Sequence, residues 1–169
     1  RDKPLKIQAF NCALFRYFGT QEFGEELGYQ NSFDPEFIIQ KANKRISLGK
    51  KVFTGAYIIT NQGISAPKQE VVVNYFLKPF WENIDRIVEI SVKTNRWEDT
   101  LNFIGKLNGF GPFMRKEVGL DMMLTPVLEN CEDKYSWSPA GSGAIRGLNR
   151  LLGRGLDKNM TQVEALEHM

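Results

Sequence analysis

Apolar positions recur along most of this chain with the period of an amphipathic helix. Ile7, Phe10, Leu14 and Phe18 stand at i, i+3, i+7 and i+11, which predicts a helix from about Leu5 to Phe18, stopped by Gly19. Asn11 borders that stripe and Arg16 points away from it; a polar Asn there either buries a hydrogen bond or reaches into a cleft. Asp34-Pro35-Glu36 supplies an N-cap, a first-turn proline and a first-turn acid. The helix it opens is expected to bury Ile38, Ala42 and Ile46, to end near Gly49, and to carry Lys41, Lys44 and Arg45 on its exposed side. The run Val52 to Ile59 is short and rich in β-branched and aromatic residues, and periodicity does not decide between strand and buried helix. Ser65-Ala66-Pro67 opens a further helix with Val73, Phe76, Leu77 and Phe80 on one side, although Val71-Val72-Val73 would also suit a strand. Pro79 ends that run and begins the next, in which Trp81, Ile84, Val88 and Val92 are expected to face inward.

Two glycine-bearing bends interrupt this pattern. The first, Leu107-Asn108-Gly109-Phe110-Gly111-Pro112-Phe113, lies between a helical run of Trp97, Leu101, Ile104 and Leu107 and another of Met114, Val118 and Asp121. Its glycines allow a tight reversal and Pro112 suits the first turn of the next helix, so a helix, a Gly-x-Gly hairpin and a helix are predicted. The second bend, Ser138-Pro139-Ala140-Gly141-Ser142-Gly143, runs into a helix whose apolar face would be Ile145, Leu148, Leu151 and Leu152. Arg146, Arg150, Arg154 and Lys158 follow at intervals of four, with Gly153 and Gly155 expected to end the helix before the last two. Either bend is an ordinary connection or a place where uncapped backbone N–H groups meet a phosphate. On the second reading Gly109, Gly111, Lys116, Gly141, Ser142, Gly143, Arg146 and Arg150 contact a nucleic-acid backbone, with Arg146 able to clamp a phosphate bidentately. No Gly-Lys-Ser/Thr follows either bend at P-loop spacing, which argues against a self-sufficient ATP-dependent kinase. At least five helices, no repeat and little secure strand make this a mainly α chain. A single helical domain over 1–158 is expected, with 159–169 a tail or the start of a further segment.

Composition narrows the class. Across 169 residues, 42% hydrophobic and 25% charged residues suit a globular domain, and no apolar run approaches the roughly 20 residues of a membrane span. The absence of an apolar leader near Arg1 suggests a cytoplasmic location, and Cys12 and Cys131 are expected to be reduced thiols. His168 is the sole histidine, which makes a histidine triad or a conventional zinc site unsuitable; neither metal nor cofactor is expected. The net charge of +2 conceals segregation: Lys41, Lys44, Arg45, Lys50 and Lys51 form one basic block and the arginines after Gly143 another. Such faces attract polyanions, so Lys44 and Arg45 join the candidate DNA contacts; a solvated surface is the alternative. Phe53, Tyr57, Phe110, Phe113 and Trp137 lie near these elements and either stack on an extruded base or belong to the core. Asn11, Arg16, Tyr57 and Phe110 are the candidate base pocket.

Four of these stretches together resemble a known family. Phe10-Asn11 with Phe15-Arg16, Phe53-Thr54-Gly55-Ala56-Tyr57, Asn108-Gly109-Phe110-Gly111-Pro112-Phe113 with Leu120-Asp121, and Ala140 through Leu148 are similar to the alpha-glutamyl/putrescinyl thymine pyrophosphorylases and to the related helical domain of hydroxymethyluracil DNA kinases. The resemblance implies a helix-hairpin-helix, DNA-glycosylase-like helical fold acting on hypermodified pyrimidines in bacteriophage DNA modification. It also implies DNA as partner, and a kinase or a C-terminal segment supplied separately.

Asp121 is the candidate catalytic carboxylate because it shares a helix face with Met114 and Val118, and a charge beside a core face needs a partner or a function. In a glycosylase, Asp121 would stabilise positive charge on the sugar of a flipped nucleotide or activate water. In a transferase that replaces pyrophosphate on hydroxymethyluracil, it would take a proton from an incoming amine while the Gly141–Gly143 loop and Arg146 steady the diphosphate. In a non-catalytic DNA-binding module it would simply pair with a nearby cation.

Overall fold

The computed structural model describes residues 2–55 and 58–169. Tyr57, expected in a base pocket, lies outside the described residues. The first predicted helix is α1 (Leu5–Phe18), the element around which the others pack. Its stripe of Phe10, Ala13, Leu14, Tyr17 and Phe18 is buried, each large ring worth about 1.5–3 kcal/mol of removed apolar surface. Then follow α2 (Gln21–Leu27) and α3 (Pro35–Ser47), the latter begun by Asp34, whose carboxylate accepts the Phe37 N–H at 3.0 Å. The exposed row expected on α3 is corrected at one place: Arg45 turns inward, where its guanidinium reaches Glu26 and donates to the Lys51 carbonyl at 2.7 Å. Ile46, expected inside, is exposed in its stead.

The Val71-Val72-Val73 run is helical. α4 (Lys68–Val71) passes through a wide π-helical stretch (Val72–Leu77) into α5 (Lys78–Glu82), and the three valines are all enclosed. Pro79 explains the irregularity. It has no N–H for the carbonyl of Tyr75, and that carbonyl instead accepts the Asn108 side-chain amide at 3.2 Å. α6 (Ile84–Thr94) buries Ile84 and Ile87, while Val92 is exposed, contrary to expectation. The run Val52 to Ile59 forms no named strand among its described residues; Phe53 makes only an isolated bridge to Gly19.

α7 (Trp97–Ile104) and α8 (Pro112–Met122) flank the first bend and pack on each other, α8 also on α1. A side chain at Gly119 would collide with Leu101, so its absence sets how closely α7 and α8 approach. α7 is capped from a distance: the buried Asp133 carboxylate accepts the N–H groups of Trp97 at 2.8 Å and Glu98 at 3.0 Å. Trp97 donates from its indole to the Trp137 carbonyl at 3.1 Å, which fastens the irregular segment after α8 to the same helix.

The chain ends in α9 (Ser142–Leu151) and α10 (Gln162–Glu167), joined by a small core of Leu148, Met160 and Ala165 with Ala140 and Ile145 against it. Leu151 and Leu152, expected on the apolar face, are exposed. Asn149 ties the turn after α9 by donating to the carbonyls of Leu156 and Lys158, and Arg154 pairs with Glu164. No helix among the described residues is long and apolar enough to cross a membrane.

Candidate functional site

The site is built on the second face of α1, beside the buried stripe. Asn11, Cys12 and Phe15 form one wall of a cavity of about 720 Å³, completed by Tyr29 and Asn31 from the loop after α2 and by Asp121 and Thr125 at the end of α8. A neighbouring cavity of about 530 Å³ is lined by Arg16, Thr20, Gly24 and Thr54. Phe15 and Asp121 line both, so the two meet at these side chains.

An ionic cluster holds this junction together. Arg16 donates from Nε to Asp121 Oδ2 at 2.8 Å and from Nη2 to Oδ1, a bidentate fork, and its Nη1 lies 3.4 Å from Glu117 Oε2. Asp121 retains 28% side-chain exposure and Glu117 13%. Two carboxylates four residues apart on one helix face repel, and an arginine between them removes the penalty. Burial pushes the Cys12 thiol up to about 12, the Asp121 carboxylate adds to the effect and Arg16 opposes it; the thiol in this wall is therefore protonated and unreactive at neutral pH. Tyr29 shifts upward too, through burial and then through neighbouring Cys12.

The sequence candidates distribute unevenly around this centre. Asn11, Arg16 and Asp121 come together at the cavities. Asn11 is nonetheless a structural fastener as well, donating to the Ile7 and Gln30 carbonyls and accepting the Gln30 N–H. Phe110 is enclosed, stacked on Phe80 at 4.9 Å and edge-on to Tyr17 at 5.4 Å, and has no face open to a base. Gly109 and Gly111 line a third, smaller cavity of about 220 Å³ with Phe113 and Met114 at the start of α8. Lys116 is half-exposed, 3.9 Å from Glu117. Gly141, Ser142 and Gly143 are exposed at the uncapped start of α9, and Arg146 and Arg150 are exposed along it, Arg146 being 3.7 Å from Asp157. Lys44 is exposed on α3, whereas Arg45 is buried.

Gln8, Tyr29, Asn31, Glu117 and Thr125 were not singled out from the sequence, and Cys12 and Phe15 were named there without a place in the site. Two signals pointed to some of them: Gln8, Cys12 and Phe15 recur at helical spacing beside the core stripe, and Glu117 with Asp121 is a like-charged i, i+4 pair that demands a cation. Among the described residues no group of histidine, cysteine and acidic side chains is arranged to hold a metal ion.

No curated protein and no solved structure matches the chain. A family model described as "5-hmdU DNA kinase, helical domain" matches residues 2–169, covering every helix from α1 to α10 and all the walls of the two cavities. With 5-hmdU standing for 5-hydroxymethyldeoxyuridine, this mainly helical chain belongs to the family of 5-hmdU DNA kinase helical domains.

Proposed function

We propose that this domain is the DNA-recognition part of a 5-hmdU DNA kinase. It holds the sugar–phosphate strand and receives the modified pyrimidine, turned out of the stack, in the 720 Å³ cavity, while a separate kinase part carries phosphoryl transfer. The observation that carries this reading is the cavity itself. It offers two aromatic walls, Phe15 and Tyr29, with hydrogen-bonding groups at its edge, the combination that suits a nucleobase. The lack of a P-loop sequence anywhere in the chain supports a separate source of phosphoryl transfer.

The Arg16 fork favours binding over proton transfer at Asp121. A general base, or a carboxylate that stabilises a sugar cation, needs an oxygen directed at the reacting atom. Here the Arg16 charge offsets that of Asp121, so the carboxylate has less unneutralised charge to offer a proton or a sugar cation than it has lone pairs to offer a hydrogen-bond donor. For the strand we propose contacts at Gly109, Gly111 and Lys116, at Gly141, Ser142 and Gly143, and from Arg146, Arg150 and Lys44.

The test combines binding with product analysis. DNA carrying 5-hydroxymethyluracil is expected to bind with an affinity that falls with salt, and Arg146→Ala and Lys44→Ala are each expected to reduce the salt slope by about one. Mass spectrometry of the recovered DNA should show unchanged bases. Alkali-labile abasic sites would establish a glycosylase, a heavier base a transferase, and either result overturns the recognition reading; so does failure to bind DNA at low salt.

A further inference from the structure

Most polar groups on the cavity wall are engaged within the chain. Asn11 directs its amide to two backbone carbonyls at 2.8 and 2.7 Å, and Thr125 donates to the Met122 carbonyl at 2.8 Å. The Asn31 side-chain carbonyl accepts from Lys3 at 2.9 Å, and Gln8 donates to the Lys3 carbonyl at 2.6 Å. Asp121 differs from these. It is the carboxylate among the described lining residues, and a carboxylate offers about four lone-pair directions, of which the Arg16 fork uses two. Capacity for about two further donors therefore remains on a side chain that cannot rotate away, because the planar guanidinium fixes both oxygens and Glu117 steadies the guanidinium from its other side.

5-Hydroxymethyluracil differs from thymine by one hydroxyl on the C5 methyl group. A hydroxyl finds its strongest acceptor in a carboxylate, and a site arranged around such a bond disfavours the analogue that lacks it. Building on the recognition reading above, we infer that Asp121 is the specificity-determining residue: its carboxylate accepts the hydrogen bond of the 5-hydroxymethyl hydroxyl and so distinguishes 5-hydroxymethyluracil from thymine in DNA. Arg16 is the positioning residue for that acceptor, and its role is to hold the carboxylate still. The partial exposure of Asp121 keeps the discrimination moderate, roughly tenfold, since water can serve the carboxylate when thymine is bound.

The experiment is fluorescence anisotropy with oligodeoxynucleotides that differ at one position, 5-hydroxymethyluracil or thymine, using wild-type protein, Asp121→Asn and Asp121→Glu, with a thermal melt of each variant. The wild type is expected to prefer 5-hydroxymethyluracil by roughly tenfold. Asp121→Asn should cut that preference to under about twofold, with affinity for 5-hydroxymethyluracil DNA falling by more than affinity for thymine DNA. Asp121→Glu keeps the charge and the pairing with Arg16 but displaces the acceptor, and should lose the preference as well; it decides the matter if the amide variant does not fold. A wild type with no preference overturns the recognition reading itself. A wild-type preference that survives both substitutions overturns the role of Asp121 and leaves that reading standing. Equal weakening of both DNAs by both variants means that Asp121 is structural only, which also overturns the inference.

Discussion

At Gly109 the chain runs with φ of 86° between the Tyr17 hydroxyl and the Phe76 ring, and a methyl group there would lie 2.6 Å from that hydroxyl and overlap the ring. At Gly141 and Gly143 a methyl group would meet nothing within 4 Å. Both bends nevertheless end the same way: Gly111 and Gly141 precede their helices in extended conformation, and neither helix start has a side-chain cap. The two share an open helix start and differ in what stands behind it. The first bend is welded to α1 and the π-helical stretch, so its glycine is demanded by packing; the second rides on the small core of Leu148, Met160 and Ala165 and keeps its glycines for other reasons. Where a Gly-x-Gly sequence sits relative to a core decides whether substitution tests the fold or the surface.

That contrast breaks most visibly under one methyl group. Gly109→Ala combines a left-handed backbone with overpacking against Phe76 and Tyr17 and should cost about 3 kcal/mol or more, read as a lowered denaturation midpoint. A loss under about 1 kcal/mol would mean that the bend is free to move. Next comes Asp133→Ala, which strips two backbone N–H partners from the start of α7 and unfastens the segment leading to the second bend. The expected loss is about 2–3 kcal/mol by chemical denaturation, with DNA affinity falling through the second bend. Tyr17→Phe sharpens the steric account. The Tyr17 hydroxyl is enclosed without a hydrogen-bond partner among the described residues, so its removal should be neutral or stabilising by up to about 1 kcal/mol; a clear destabilisation would expose a polar tie that the packing argument omits. Smallest of all, Gly143→Ala should shift stability by no more than about 0.5 kcal/mol, and any effect should appear in DNA binding alone.

The helices were legible because their apolar residues keep one period over several turns. α1 matches its expected span, and the Asp34 cap and the two bends stand where turn chemistry puts them. What escaped was tertiary. Nothing local says that Arg45 turns to Glu26 or that Ile46 faces out. The helix opened at Pro67 was legible, but the strand alternative at Val71 to Val73 stayed open because a β-branched run fits a buried helix and a strand alike. Around the cavities, Asn11, Arg16 and Asp121 were legible as polar residues beside apolar stripes, whereas Phe110 took its place in the core because an aromatic residue next to a glycine looks the same whichever way its ring points. Tyr29 and Asn31 lie on a loop with no periodicity to mark them.

The proline at position 79 carries a further consequence. By withholding a donor from the Tyr75 carbonyl it creates an acceptor that the Asn108 side chain occupies, so a defect in one helix registers the position of a bend remote in sequence. An ordinary residue at 79 would bring a backbone donor back to that carbonyl, which Asn108 would then have to share. The two positions are coupled in this way, and hydrogen exchange at the Phe110 amide is the place where a loosened bend would be felt.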